Sequence, residues 1–393
     1  MKALQIERSV PRFAAARVVS GLKPGGGGSK VGPLRLADLD PPEPPNPSWQ
    51  VVKPRLAGIC GSDLATVDGR SSRWFEPMVS FPFVPGHEVV GDAADGRRVV
   101  VEPVLHCRIR EIDPPCRSCS AGLTNHCERL VSGHLHPGLQ TGYCKDTGGG
   151  WSLALVAHEL QLHEVPEGWS DEAAVMVEPT ACAVHGALSG PAGQDLVAAV
   201  IGAGTLGLAT IAAVHLLRPD IVSLIVVAKH PEQRSLAREL GSTQVVEPGE
   251  LRRAVRRATG SWILDSGQLT GGADIVFDCV GSDDSIADAL AVAAPGATVV
   301  LLGMPGHVGL DLTGLWQREV RLVGAYAYGP EPAADGRHSF ALSMDVIERA
   351  GLERLVSAVY PLDRYSDAIE HAATAGRRGA VKVAFDMRNE KRR

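Results

Sequence analysis

Apolar and polar positions follow two different patterns along the chain, and the difference divides it. From about residue 195 to residue 326, short apolar runs such as LVAAVIGAG and ADIVFDCVG alternate with helical segments such as TLGLATIAAVHLL and PEQRSLARELG. This alternation predicts a parallel sheet with helices on both faces. The first 160 residues instead combine short apolar runs with frequent glycine and proline, which indicates a β-rich unit.

The segments on either side of the alternating region predict where the domains meet. Residues 166–190 become rich in Ala, Val and Met, with Ser170 as the expected N-cap of a helix and Pro179 as its expected break. Residues 339–393 predict two helices, SFALSMDVIERA and YSDAIEHAATA, and a last strand, AVKVAFDM. We therefore expect a β-rich domain over 1–188, an α/β domain over 189–327, and a return to the first domain over 328–393.

Composition narrows the class of protein. The chain of 393 residues is longer than a single hydrophobic core usually supports, which favours two domains. The net charge of −6 and the absence of a basic stripe exclude nucleic acid as an expected partner. No segment has the roughly 20 consecutive apolar residues of a membrane helix, and MKALQIERSVPRF lacks the apolar stretch of a signal peptide. We therefore expect a cytoplasmic protein with reduced cysteines.

A glycine-rich turn predicts a dinucleotide site. Gly202, Gly204 and Gly207 have the G-x-G-x-x-G spacing, directly after an apolar strand, and Thr205 and Leu206 open the following helix. The glycines allow a tight turn, a close approach of the backbone to a pyrophosphate and close packing of helix on strand. The helix N-terminus attracts the phosphates. The alternative is a tight turn that binds nothing.

The end of the next strand bears on the choice of cofactor. NAD-binding proteins carry an acidic residue there, which bonds to the ribose 2′-hydroxyl. This chain has Lys229 and His230 at that point, followed by Arg234. Basic groups suit the 2′-phosphate of NADP, so the sequence favours NADP, with NAD as the alternative. Lys229 as a solvated loop residue is the competing interpretation.

Four cysteines fall within a short polar segment. Their spacing, C-x8-C-x2-C-x7-C, is typical of a structural zinc site that folds a lobe over residues 104–130 and does no chemistry. Asp113 is the alternative to the first of these cysteines, but thiolate is the softer ligand. The four predicted ligands are Cys107, Cys116, Cys119 and Cys127.

Cys60 is by itself uninformative, because free cysteines are usually buried core residues. Its context is the segment AGICGSDLA, followed by the G-H-E-x-x-G of His87 and Glu88, the four-cysteine segment, Glu178-Pro179 and the glycine-rich turn. This order resembles the zinc-dependent medium-chain alcohol dehydrogenases over nearly the whole chain. It is most similar to their polyol, threonine and glucose dehydrogenase branch, since Glu178-Pro179 stands where other alcohol dehydrogenases have a cysteine.

The resemblance implies a GroES-like catalytic domain joined to a Rossmann domain, and a second, catalytic zinc ion. Cys60 and His87 would bind that ion, which takes thiolate, imidazole and carboxylate ligands. Glu88 would complete the ligand set or alternate in it, and Glu178 would bind directly or through water. The sequence leaves open which carboxylate is the resting ligand.

The resemblance also assigns catalytic roles beside the metal. Asp63 would orient His87, and Ser62 would contact the substrate oxygen and pass its proton onward. In many relatives a histidine three residues after this serine continues the proton route, whereas this chain has Ala65. The proton must therefore leave by another route, such as water or a ribose hydroxyl.

The expected function is reversible oxidation of a secondary alcohol, a polyol, sugar or amino alcohol, with hydride transfer to the nicotinamide. A zinc lyase or epimerase of the same fold and a non-catalytic nucleotide-binding member are the alternatives. The resemblance further implies a homodimer or homotetramer that acts on a small molecule, with no membrane partner.

Overall fold

A computed structural model describes residues 1–22, 26–265 and 267–390 of the chain. Its β-strands are β1 (Lys2–Ile6), β2 (Leu34–Asp38), β3 (Trp49–Gly58), β4 (Val89–Ala93), β5 (Arg98–Val101), β6 (Leu155–His158), β7 (Leu162–Glu164), β8 (Leu196–Ile201), β9 (Ile221–Val227), β10 (Gln244–Val246), β11 (Ala273–Asp278), β12 (Ala293–Leu301), β13 (Arg321–Gly324), β14 (Pro330–Glu331), β15 (Arg337–His338), β16 (Val356–Tyr360) and β17 (Lys382–Asp386).

The α-helices of the described residues are α1 (Val10–Leu22), α2 (Gly28–Val31), α3 (Gly61–Val67), α4 (Arg117–Ser120), α5 (Asp171–Val175), α6 (Val177–Leu188), α7 (Thr205–Leu217), α8 (Pro231–Glu239), α9 (Leu251–Thr259), α10 (Asp283–Val292), α11 (Thr313–Gln317), α12 (Ser339–Ala350) and α13 (Tyr365–Ala373). None of these is long and apolar enough to span a membrane.

The chain forms two compact units. One comprises Met1–Glu178 together with Glu353–Arg393, and the other comprises Pro179–Leu352. The first unit is thus built from both ends of the chain, and the second is inserted between them. Spatial grouping puts the divisions after residues 178 and 352, whereas the sequence pattern placed them after 188 and 327.

The inserted unit contains a six-stranded sheet in the order β10-β9-β8-β11-β12-β13. Every neighbouring pair is parallel. The order starts at the central β8 and proceeds outward on both sides, which is the doubly wound dinucleotide-binding arrangement. The central strands β8 and β11 are largely buried, because helices cover the sheet on each side, whereas the edge strand β13 is mostly exposed. The predicted Rossmann sheet is confirmed.

The unit formed by the chain ends contains a largely antiparallel sheet in the order β16-β17-β3-β4-β5-β7, with β6 also paired to β3. Its core includes Trp151, Leu155 and Phe385, all fully buried. The C-terminal β17 lies against β3, with Ala384 opposite Gly58. This pairing brings the last strand of the chain to the place where β3 ends, just before Cys60.

Two local features differ from the sequence pattern. Helix α1 lies in the region predicted to be β-rich, and it packs through Phe13, Ala16 and Ser20, which share one helical face. The helical segment of 166–190 breaks at Met176, before Pro179, so α5 and α6 are separate helices. Ser170 caps α5 as predicted, accepting the Ala173 N–H at 3.1 Å.

Candidate metal and cofactor sites

The ends of two paired strands bring three possible metal ligands together. Cys60 follows β3, and His87 and Glu88 immediately precede β4, which pairs antiparallel to β3. The thiol, one imidazole nitrogen and one carboxylate oxygen lie within 4.8 Å of one another. His87 and Glu88 are buried, and Cys60 is half-buried. Thiolate, imidazole and carboxylate match the ligand set of a catalytic zinc ion, so the residues fit such an ion.

Asp63 links two of these residues from the first turn of α3. One of its carboxylate oxygens accepts the Cys60 backbone N–H at 3.0 Å, and the other lies 3.5 Å from His87 Nδ1. Burial acts to lower the pKa of His87, but the Asp63 carboxylate and the Cys60 thiol raise it well above its ordinary value. Asp63 is thus placed to orient the imidazole for metal binding. Ser62, in the same turn, is half-buried.

Glu88 has a partner that the sequence did not indicate. Lys382, on β17, is almost fully buried, and its ammonium group donates to the Glu88 carboxylate and to the Ile59 carbonyl at 3.3 Å. Burial acts to lower the pKa of Lys382, but the charges of Glu88, Cys60 and Glu178 raise it. The sequence feature that could have pointed to this pair is a lysine within the apolar strand AVKVAFDM, since an unpaired buried ammonium is costly.

Gly58 makes room for this ion pair. A Cβ atom at Gly58 would overlap the Glu88 carboxylate and approach the Lys382 side chain to 2.7 Å. The last residue of β3 therefore leaves a space that the carboxylate fills. This space holds Glu88 beside Cys60 and His87.

Glu178 stands apart from the three grouped residues. It is buried at the start of α6, and its charge acts on Lys382. Its carboxylate is not among the atoms that lie within 4.8 Å of one another at Cys60, His87 and Glu88. In the described geometry Glu88, rather than Glu178, is the carboxylate that is close to the thiol and the imidazole.

The four cysteines of the polar segment converge on one point. The Sγ atoms of Cys107, Cys116, Cys119 and Cys127 lie within 4.8 Å of one another, and no disulfide joins them. Cys107 Sγ and Cys127 Sγ are 3.7 Å apart. Four sulfurs at about 2.3 Å from a tetrahedral zinc ion are about 3.8 Å apart, so the cluster fits zinc. Asp113 is not part of the group.

Backbone N–H groups point at these sulfurs. The Cys116 N–H donates to Cys107 Sγ at 3.3 Å, and the Cys119 N–H donates to Cys116 Sγ at 3.4 Å. Burial acts to raise the pKa of Cys116, but the N–H groups of Glu128 and Cys119 lower it to about 7. Such donors favour the thiolate form, which is the form that binds metal.

Arg110 is a second residue that the sequence did not indicate. It is fully buried beside the cysteine cluster, and no carboxylate among the described residues forms an ion pair with it. Its guanidinium instead donates to five backbone carbonyl groups, at 2.7 to 3.3 Å, those of Leu105, Ser132, Leu135, His136 and Gly138. A buried cation without a carboxylate needs another negative charge nearby, and a zinc ion with four thiolates carries a net charge of −2.

The glycine-rich turn has the geometry of a phosphate site. Gly202 has φ +94°, which favours glycine. A Cβ atom at Gly207 would overlap the Gly202 carbonyl, so helix α7 can approach the turn only with glycine there. A Cβ atom at Gly204, the N-cap residue of α7, would meet nothing within 4 Å. The turn therefore leaves open space at the N-terminus of a helix, where Thr205 and Leu206 begin, and fits a pyrophosphate.

The three basic residues after β9 differ in their exposure and in their bonding partners. Lys229 is exposed, with no ion pair to a carboxylate among the described residues, and His230 stands at the N-cap position of α8 without a capping bond from its side chain. Arg234 is occupied: it donates to the Lys229 carbonyl at 3.0 Å and pairs with Glu247 at 3.1 Å. Lys229 is thus the cation with the most freedom to meet a 2′-phosphate.

Two family models match the chain and together cover more than half of it. The alcohol dehydrogenase GroES-like domain matches residues 46–167, and the zinc-binding dehydrogenase model matches residues 205–349. The chain is 29% identical to L-threonine 3-dehydrogenase of Streptomyces avermitilis, over 89% of this chain and 96% of that protein. It is 25% identical to sorbitol dehydrogenase of Arabidopsis thaliana, over 86% and 88%.

Solved structures share the fold. A Sinorhizobium meliloti 1021 protein bound to NADP superposes with a TM-score of 0.70 at 24% identity, covering 98% of this chain and 99% of that chain. An Escherichia coli CFT073 alcohol dehydrogenase complexed with NADH also superposes with a TM-score of 0.70, at 22% identity, covering 98% and 99%. The two neighbours therefore share one architecture and hold different nicotinamide cofactors.

Proposed function

The chain belongs to the zinc-binding dehydrogenases with an alcohol dehydrogenase GroES-like domain, and from this premise we propose that it reversibly oxidises a secondary alcohol to a ketone. The substrate class is a polyol, a sugar or an amino alcohol, which is supported by the sorbitol and threonine dehydrogenases among its relatives. The observation that carries the proposal is the convergence of Cys60, His87 and Glu88 within 4.8 Å.

The residues around this cluster have separate tasks in the proposed reaction. Cys60, His87 and Glu88 hold the metal, and Asp63 keeps the imidazole in place through its carboxylate. A zinc ion at this position supplies Lewis-acid polarisation of the substrate oxygen. Ser62, two residues after Cys60, contacts the substrate oxygen, and as it takes the hydroxyl proton of the alcohol it passes its own proton onward to water or to a ribose hydroxyl. Cys107, Cys116, Cys119 and Cys127 hold a structural zinc ion and take no part in the chemistry.

The proposed cofactor is NADP. The turn from Gly202 to Gly207 receives the pyrophosphate, and Lys229 meets the 2′-phosphate, with His230 and Arg234 close by. No carboxylate repels a phosphate at the end of β9, and Arg234 neutralises Glu247. Because structural neighbours hold either NADP or NADH, the choice depends on these residues of the chain itself. The nicotinamide supplies the hydride acceptor.

The remaining partners follow from the family. We infer a homodimer or homotetramer that acts in the cytoplasm on a small molecule and binds neither nucleic acid nor membranes. The net charge of −6 supports the exclusion of nucleic acid. Light scattering of the purified protein measures the oligomeric state directly.

The test is a substrate screen with zinc-replete protein. Sorbitol, xylitol, 2,3-butanediol and L-threonine are each assayed with NADP and with NAD, and reduced cofactor is followed by its near-ultraviolet absorbance. Stoichiometric formation of reduced cofactor supports the proposal, and we expect NADP to give the higher kcat/KM. Substrate conversion without net reduction of the cofactor would instead identify a lyase or an epimerase.

A further inference from the structure

Two of the three grouped metal ligands lie beyond the paired part of β3 and β4. Among the described residues, the last backbone bond between the two segments is from the Gly58 N–H to the Glu88 carbonyl, at 2.8 Å. Cys60 follows this bond on one segment, and His87 precedes it on the other. The distance between the thiol and the imidazole therefore depends also on contacts outside the β3–β4 pairing.

Trp151 supplies such a contact, because it is bonded to both segments. It is fully buried, and its indole Nε1–H donates to the Gly58 carbonyl at 3.1 Å. Its backbone N–H donates to the Pro85 carbonyl at 2.9 Å, and the N–H of the preceding Gly150 donates to the Gly86 carbonyl at 2.8 Å. Trp151 thus connects the end of β3 with the segment that leads into β4.

Glycines make this close approach possible. Gly86, directly before the imidazole ligand, has φ +95°, and a Cβ atom there would overlap the indole ring of Trp151. A Cβ atom at Gly149 would overlap the Val84 carbonyl. The glycine run that precedes Trp151 therefore lets this segment lie directly against the backbone in front of β4.

Strands β17 and β1 also hold Trp151 in place. The centre of its ring lies 5.0 Å from that of Phe385, which is fully buried on β17 and opposite Ala57 of β3. The Trp151 carbonyl accepts the Leu4 N–H at 2.9 Å. A buried ring that is packed and bonded in this way keeps its N–H in one position.

The indole N–H is the part of Trp151 that another apolar side chain would not supply. Phenylalanine would fill most of the same space but would leave the Gly58 carbonyl without the indole donor. Trp49 provides a contrast within the same unit. It is 3% exposed and packs in another apolar cluster, but its Nε1 has no hydrogen-bond partner among the described residues.

We propose that Trp151 is a positioning residue of the metal site. Its indole bond to Gly58 keeps the end of β3 at the distance from His87 at which Cys60 and the imidazole bind one ion. This inference rests on the proposed function, which supplies the metal ion. Trp151 acts through the backbone and is not a ligand. Because such coupling is reciprocal, a bond that favours metal binding is itself favoured by the bound metal.

Zinc binding measures this role without turnover. Protein is equilibrated in metal buffers of stepped free Zn²⁺ concentration, and zinc per chain is determined at each step. The loading step that is absent in Cys60→Ala belongs to the Cys60 site. We expect Trp151→Phe to raise the free Zn²⁺ concentration at half-loading of this site about tenfold. Trp49→Phe, the matched control, should leave this step at its wild-type value.

Cobalt reports the geometry of the same site. Co²⁺ is added to protein from which only the zinc ion of the Cys60 site has been removed, and the visible absorption bands of the metal are recorded. These bands depend on the arrangement of the ligands, so a loss of stability alone would not change them. We expect changed bands in Trp151→Phe and wild-type bands in Trp49→Phe. The Tm of each variant is measured alongside.

Wild-type protein provides the test if Trp151→Phe does not fold. Hydrogen exchange of the indole N–H groups is followed by NMR of protein with isotope-labelled tryptophan. Two free Zn²⁺ concentrations are compared, one that fills both sites and one that empties only the Cys60 site. Reciprocal coupling requires slower exchange at Trp151 when the Cys60 site is filled, and the same exchange rate at Trp49 under both conditions.

The outcomes separate the positioning role from the proposed function. Wild-type half-loading and cobalt bands in Trp151→Phe, an equal effect of Trp49→Phe, or exchange at Trp151 that ignores zinc would overturn the role and leave the dehydrogenase function standing. If wild-type protein has no loading step that Cys60→Ala lacks, the proposed metal site is wrong, and the function and the role are wrong with it. Weaker zinc binding with changed cobalt bands, confined to Trp151→Phe, supports the role.

Discussion

The ammonium group of Lys382 is bonded to the carboxylate of Glu88, although 294 residues separate the two in the chain. Both side chains are almost fully buried, and Glu88 lies beside Cys60 and His87. The cation therefore holds in place the carboxylate of the proposed metal site, and it offsets part of the negative charge of the proposed ligands.

This pair predicts a strongly coupled double-mutant cycle. Lys382→Met leaves the Glu88 carboxylate buried without its cation and should lower the free energy of unfolding by about 3 kcal/mol or more. Adding Glu88→Gln removes the unpaired charge, so the double variant should recover a large part of that loss. Urea unfolding of the metal-free proteins measures both. Additive effects of the two substitutions would show that the pair is not coupled.

Metal analysis distinguishes the two proposed zinc sites. We expect two zinc ions per chain by elemental analysis of metal-replete protein. Cys60→Ala should abolish turnover, retain one zinc ion and leave the fold nearly intact. Cys119→Ala should lower the Tm, because a structural zinc ion contributes folding free energy. Similar behaviour of the two variants would contradict the separate roles.

Two glycines close together in the sequence provide a matched test of the space that Glu88 fills. Gly58→Ala places a methyl group against the Glu88 carboxylate, whereas a Cβ atom at Gly61 meets nothing within 4 Å. Gly58→Ala should therefore lose the zinc ion of the Cys60 site, and zinc per chain should fall from about two to about one. Gly61→Ala should keep both ions. Full zinc content in Gly58→Ala would rule out Glu88 as a ligand.

The cofactor preference depends on Lys229. A charge-assisted bond from Lys229 to the 2′-phosphate is worth about 1.5–3 kcal/mol, or about one to two decades in affinity. Lys229→Asp should therefore shift the ratio of kcat/KM for NADP and NAD strongly towards NAD. Arg238→Asp, an equal change of charge near the end of α8, is the control and should leave the ratio unchanged. A wild-type preference for NAD would show that the cofactor assignment is wrong.

Arg110 should control how firmly the cysteine cluster keeps its zinc ion. Arg110→Met removes the buried charge and leaves five carbonyl groups without their donor, so zinc release to a chromogenic chelator should become about tenfold faster. Arg110→Lys keeps the charge and should fall between Arg110→Met and wild type. Arg108→Met changes an exposed arginine nearby and is the control. Equal release rates for Arg110→Met and Arg108→Met would exclude this role.

The sequence predicts those parts of the protein that depend on local patterns. The parallel sheet follows from alternating apolar runs and helical segments, and the glycine turn follows from three residues within six positions. The four cysteines are also close in the chain, so their convergence needs only a short loop. In each case the spacing along the chain already limits the geometry in space.

The features that the sequence did not indicate all depend on distant contacts. Lys382 meets Glu88 only because β17 pairs with β3, and no spacing rule states which strands will pair. The helix Val10–Leu22 was missed because its buried face consists of only Phe13, Ala16 and Ser20, a weak apolar signal.

The pairing of β17 with β3 also determines the order in which the two units can fold during translation. The residues that border the proposed metal site, Gly58 and Lys382, are translated near the two ends of the message, and the ribosome makes the entire inserted unit between them. The inserted unit has all of its strands before β16 emerges, so it can fold while the nascent chain is still attached. The catalytic unit must wait until translation is almost complete before its sheet closes, so a stalled or shortened chain would carry a folded nucleotide-binding unit without a finished metal site.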